Sequence, residues 1–153
     1  MNDTTTLNDL ADQLEIRALV DAYARNADRR HPAEQAALFT ENARVSVYSG
    51  DPDTTEPVQV LNGRAELEAA FSGLSAYQAT THFNGQSTIT IDGDRASGES
   101  YCLAHHLFEV EGVRTLLVMS IRYRESLERV DGRWLFSERG LIIDWTDSRP
   151  SNA

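Results

Sequence analysis

The stretch Arg95–Trp145, RASGESYCLAHHLFEV EG VRTLLVMSIRYRESLERV DG RWLFSERGLIIDW, decides the fold class. Three alternating runs are joined by Glu111-Gly112 and Asp131-Gly132, dipeptides that close tight hairpins. The spacing predicts strands over Arg95–Val110, Val113–Val130 and Arg133–Trp145. A further alternating run, Ala79–Ile91, comes before them and ends at Asp92-Gly93-Asp94. The four form an antiparallel meander. Long strands twist and cannot stay flat, so the sheet is expected to curl.

Upstream of the meander the period changes. Leu7, Leu10, Leu14, Ile16, Leu19, Val20, Tyr23, Ala24 and Ala27 recur every three or four residues, which predicts an amphipathic helix over 7–28. Thr6 or Asn8 would cap it. His31-Pro32 ends it, because a residue before proline avoids helical geometry and proline suits a new first turn. A short second helix is expected over Pro32–Thr40, burying Ala36, Ala37, Leu38 and Phe39. Ala43–Tyr48 alternates and reads as a strand. Ser49–Pro57 reads as a loop able to cover a pocket mouth. Asn62-Gly63 marks a turn before a helix over Arg64–Phe71. Helices first and a meander afterwards predict an α+β fold, with the helices on one face of a curved sheet enclosing one pocket. The 153 residues make one domain, with a core over about 7–146 and frayed ends.

Composition excludes several classes of function. The net charge of −10 repels phosphate backbones and anionic membrane surfaces, so neither nucleic acid nor membrane is an expected partner. Apolar runs such as Leu116–Met119 are too short to span a bilayer. The polar N-terminus lacks the pattern of a secretory signal, which points to the cytoplasm. The chain contains no lysine, which removes Schiff-base chemistry and covalent pyridoxal phosphate. Neither GxGxxG nor GxxxxGK[ST] occurs, so the common nucleotide loops are missing. No metal or organic cofactor is expected. Cys102 is the lone cysteine and reads as a small core residue of an alternating strand.

Candidate chemistry lies in a few polar residues set among apolar ones. Asp28 ends the first helix on the side of Tyr23 and Ala24, and its alternative reading is a solvated helix end paired with Arg29. Arg29 and Arg30 are expected to point outward. His82 lies within a strand, where a carboxylate partner would give it a fixed tautomer and added basicity. His105 and His106 are strand neighbours and must point to opposite faces, so at most one looks into the pocket. A His/carboxylate zinc site built from these residues is the weaker alternative, since no HxH or HExxH spacing supports it. Arg139 lies in the last strand, either turned inward to hold a substrate oxygen or paired on the surface with Glu138 or Glu99. Tyr48, Tyr101, Trp134 and Trp145 are candidates to line an apolar pocket, and Cys102 would lie beside them. His31 reads as exposed.

Three segments carry a family resemblance: Ile16–Phe39, IRALVDAYARNADRRHPAEQAALF; Tyr77–Ile91, YQATTHFNGQSTITI; and Arg129–Ser137, RVDGRWLFS. They resemble the SnoaL-like branch of the nuclear transport factor 2 superfamily over most of the chain, from about Leu14 to Trp145. The resemblance implies a cone fold and homo-oligomers, dimers or trimers formed through the sheet face. Related dehydratases and dehydrochlorinases use an Asp near the end of the first helix and a strand His, which Asp28 and His82 match. Tyr23 and Arg139 likewise resemble functional positions, and His105 is favoured over His106 as a second pocket histidine. The implied activity is an elimination on a small, partly apolar ring compound, with His82 as base oriented by Asp28. An isomerase or polyketide cyclase with the same base is one alternative. A non-catalytic ligand-binding module or a dioxygenase β-like subunit is the other.

Overall fold

In the computed structural model, residues 6–152 are described. The expected fraying of the first five residues and of Ala153 lies outside them. Helix α1 spans Leu7–Arg29, opened by a capping box in which the Thr6 hydroxyl accepts from the Asp9 N–H and the Asp9 carboxylate accepts from the Thr6 N–H. Its buried face is Ile16, Leu19, Val20, Tyr23, Ala24 and Ala27. Leu7, Leu10 and Leu14 carry the same periodicity but are exposed.

Helix α2 covers only Pro32–Ala36. The expected extension to Thr40 is overturned by β1, Phe39–Tyr48, which starts early because Phe39 pairs with Phe136 of the last strand. Ala37 is consequently exposed, while Phe39 is fully buried. The loop 49–58 leads to β2, Gln59–Asn62, a short strand the periodicity did not reveal. Helix α3, Gly63–Ser72, and a short 3₁₀ turn follow. The meander is β3, Ala79–Asp92; β4, Arg95–Val110; β5, Val113–Val130; and β6, Arg133–Pro150. Glu111-Gly112 and Asp131-Gly132 both take positive φ, as the two-residue turns between β4, β5 and β6 require.

The strands form one curved sheet of order β2-β1-β6-β5-β4-β3, antiparallel except for the β1–β6 pair. The tail expected to fray, Thr146–Pro150, instead continues β6. It pairs with Thr115–Met119, whose backbone would otherwise lack a partner on that side. β3 is an edge strand, and α1 covers that edge with side chains. Asp28 accepts from the His82 N–H, Arg17 donates to the Gly85 carbonyl, and Asn84 donates to the Val20 carbonyl. An edge so covered offers little backbone to another chain.

The inner face of the sheet carries Cys102, Ala104, Ile121, Tyr123 and Phe136, which pack with Tyr23, Phe39 and Leu67 in one core. Trp134 closes the core near the start of α1, donating its indole N–H to Asp12. Arg129 pairs with the same carboxylate at 2.7 Å and stacks on the indole. No helix among the described residues is long and apolar enough to cross a membrane.

Candidate functional site

Asp28 and His82 meet where α1 ends against β3. The His82 Nδ1 lies 2.7 Å from the Asp28 Oδ1, and the His82 backbone N–H donates to Oδ2 at 2.9 Å. The Thr80 hydroxyl donates to Oδ1 at 3.0 Å. One carboxylate therefore takes three donors from a single strand. This is possible because Thr80 and His82 are two residues apart and share a face. An ionised carboxylate only accepts, so Nδ1 must carry the proton and Nε2 is left as the basic nitrogen. No described residue hydrogen-bonds to Nε2. The His82 side chain is 8% exposed and the Asp28 side chain 24%.

Of the adjacent histidines, His106 faces inward and His105 outward, which corrects the preference for His105. Strand alternation decides it: His106 pairs with Thr80 on the inner face, whereas His105 pairs with Thr81 on the outer one. The His106 ring centroid lies 5.9 Å from that of His82 and 4.7 Å from that of Tyr77. Burial, and then the neighbouring His82, lower the His106 pKa from its ordinary value, so it stays neutral. Its Nδ1 is buried without a hydrogen-bond partner among the described residues.

Tyr48 and Tyr101 do not belong with this group, a second correction. Register places Tyr48, Ile142, Arg122 and Tyr101 in one row across four strands of the outer face. Trp145 is also exposed. Cys102 is on the inner face, where burial pushes its thiol up to about 11. It is an inert core thiol at neutral pH.

Tyr23 and Arg139 point inward but are built into the core. The Tyr23 ring packs edge-on against Phe39, Phe71, Tyr123 and Phe136. Burial raises its pKa, against the pull of the Arg139 charge. Arg139 donates through Nε to Glu125 at 2.9 Å, and the Ser100 hydroxyl donates to the other Glu125 oxygen at 2.7 Å. Neither expected reading of Arg139 anticipated this partner. Glu125 and Ser100 were missed, although the alternation Ile121, Tyr123, Glu125, Leu127 places Glu125 on the buried face. Arg30 is a third omission. It turns inward rather than outward and donates to the Thr80 hydroxyl at 2.8 Å.

Open grooves flank these residues. One, of about 410 Å³, runs along the α1–β3 seam and is lined by Ala24, Arg25, Asp28, Arg29, His82 and Phe83. A larger one, of about 590 Å³, lies on the outer face beneath the loop carrying Asp53, which Arg124 clamps at 2.8 Å. Size does not make the second groove the site, because the Asp28–His82 pair lines the first. Among the described residues no three His, Cys, Asp or Glu side chains converge as a metal-ligand set would.

A SnoaL-like domain matches residues 8–140. No curated protein matches the chain. Among solved structures, a candidate scytalone dehydratase from Novosphingobium aromaticivorans is 27% identical, with a TM-score of 0.78 over 94% of this chain and 91% of that one. A type 2 hexachlorocyclohexane dehydrochlorinase is 19% identical, with a TM-score of 0.80 over 95% and 94%. An NTF2-like protein with a cystatin-like fold, from Novosphingobium aromaticivorans, is 22% identical, with a TM-score of 0.70 over 92% of each chain. The last two likenesses speak for the fold alone. The match over residues 8–140 and the helix-on-curved-sheet architecture agree, and the chain belongs to the SnoaL-like family of the nuclear transport factor 2 superfamily.

Proposed function

We propose that this chain is a cofactor-independent acid–base enzyme of dehydratase or isomerase type, acting on a small, partly apolar ring compound. The observation that carries this is the 2.7 Å contact between the His82 Nδ1 and the Asp28 Oδ1, which leaves Nε2 as the basic nitrogen of a residue that lines an open groove. The 27% identical candidate scytalone dehydratase supports the dehydratase type by likeness.

In the elimination, His82 Nε2 takes a proton from a carbon next to a carbonyl. The C–H electron pair becomes the new double bond, and the leaving group departs from the adjacent carbon with its own pair. Asp28 holds the ring and stabilises the imidazolium formed. Such a base contributes roughly 10²–10⁴-fold in rate. His106, neutral and beside His82, supplies a polar group for the leaving hydroxyl or the developing enolate. Stabilising that charge away from water is often the larger part of catalysis. Isomerisation or cyclisation begins with the same proton abstraction and differs only in where the electron pair goes.

The test reads that shared step. A panel of cyclic ketones and β-hydroxyketones is incubated with the protein in D₂O. Mass spectrometry follows deuterium uptake, and ultraviolet absorbance follows enone formation. Uptake above buffer that disappears in His82→Ala and Asp28→Asn, both still folded, is expected. Uptake retained in either variant refutes the assignment.

A further inference from the structure

We propose that Arg30 and Thr80 are positioning residues that set the orientation and tautomer of His82 through a relay, Arg30 to Thr80 to Asp28 to His82. This inference rests on His82 being the base. The relay is continuous: the Arg30 Nη1 is 2.8 Å from the Thr80 Oγ1, which is 3.0 Å from the Asp28 Oδ1, which is 2.7 Å from the His82 Nδ1.

Its direction follows from donor chemistry. A guanidinium has only donors, so the Thr80 oxygen must accept from Arg30. Thr80 has one hydroxyl proton, and its accepting side is already engaged, so that proton is free to point at Asp28. The ionised carboxylate has no proton to return. Asp28 thus receives Thr80 and the His82 ring on one oxygen, and the His82 backbone on the other. The carboxylate cannot rotate without breaking at least one of these bonds. A carboxylate held on both oxygens holds the imidazole in turn, as outer groups do for ligating histidines.

The backbone at Arg30 supports a selected role for this side chain. Arg30 is the C-cap of α1 in the left-handed region, with φ 60°, a position that favours glycine. An arginine there accepts backbone strain, and its Nη1 spans the helix end, donating also to the Ala27 carbonyl at 2.7 Å. The pattern is legible as Asp28-x-Arg30 facing Thr80-x-His82, two alternating pairs that meet only when the end of α1 docks on the β3 edge.

The test uses three variants. Arg30→Gly keeps the left-handed backbone without strain and removes the donor, so a folding defect is not expected. Thr80→Val removes the hydroxyl at nearly constant shape, and Thr80→Ser restores it. Long-range ¹H–¹⁵N spectra of uniformly labelled protein, with the His82 signals assigned through His82→Ala, report which ring nitrogen carries the proton. The parent protein should show the Nδ1–H form. Arg30→Gly and Thr80→Val should shift His82 to a mixture of tautomers. Each should also lower kcat for deuterium uptake by about 10- to 100-fold, as expected of a misplaced base, with KM within about twofold. Thr80→Ser should recover both. A His82 that stays in the Nδ1–H form with unchanged kcat in Arg30→Gly and Thr80→Val overturns the relay while leaving the base assignment intact. The tautomer readout needs no substrate. It therefore judges the relay separately from deuterium uptake in His82→Ala, whose persistence would defeat the base assignment alone.

Discussion

Arg139 is fully buried with its guanidinium carbon 3.7 Å from the centre of the Tyr123 ring and 4.2 Å from that of Tyr23. Burial opposes the charge, but the Glu125 carboxylate and the surrounding groups keep the Arg139 pKa above its ordinary value. Nη1 and Nη2 have no hydrogen-bond acceptor among the described residues, and ring faces lie where acceptors would be. The pair is therefore costly to break from one side. Arg139→Met leaves the buried Glu125 carboxyl without its cationic partner, and should lose about 3–5 kcal/mol in urea denaturation. Combining it with Glu125→Leu should recover most of that loss, because the stranded carboxyl goes too. A double variant as unstable as the single one would show that the ion pair does not account for the effect. At this scale the chain is legible in part. His82, Asp28 and Arg139 stand out as polar residues in apolar periodic segments. Glu125 does not, because the ten other Asp and Glu residues of the β3–β6 meander have the same appearance until one face is known to be buried.

Among the elements, the β3–β4 hairpin sets the site, since it carries Thr80, His82 and His106. Its register shifts between Asn84 and Ser87, which bends the strand as a bulge does. Gly98 lies just beyond, opposite Ile89. A Cβ at Gly98 would stand 2.1 Å from the Thr88 carbonyl oxygen and 2.7 Å from the Ile89 Cδ1. The closest atom is backbone and cannot swing aside. Gly98→Ala should therefore open this part of the pairing and lower the melting temperature by several degrees, the shift expected for a loss of about 2 kcal/mol. An unchanged melting temperature would mean that the two strands separate more easily than their register suggests. Element types were readable from period alone over α1 and β3–β6. The end of α2 and the existence of β2 were not. Phe39–Tyr48 becomes strand through its parallel pairing with β6, more than ninety residues away in sequence.

For the molecule as a whole, the core holds several protonated acids whose charged forms burial disfavours. Burial pushes Cys102 up to about 11, and raises Tyr23 and Tyr123 above their ordinary values. Each folded pKa exceeds the unfolded one, so each contributes stability that is complete below the unfolded value and is lost as pH rises through the folded one. Cys102 places the start of that loss between its ordinary value of 9.0 and about 11, with the tyrosines adding above it. Melting temperature should fall over that window, and Cys102→Ala should remove the earliest part of the fall. A flat profile from pH 9 to 11 would contradict it. The sequence by itself determined the helix-then-meander order, the hairpin turns, the single cysteine and the absence of lysine, because period, turn chemistry and composition are local properties. It also marked Asp28 and His82 as candidates. Only the tertiary structure decided that they meet, that His106 rather than His105 faces them, that Tyr48 and Tyr101 lie on the outer face, and that Arg139 is bound to Glu125. Those outcomes turn on strand register and on where α1 docks. A shift of one residue reverses every face of a strand, and the packing that forbids the shift is not local.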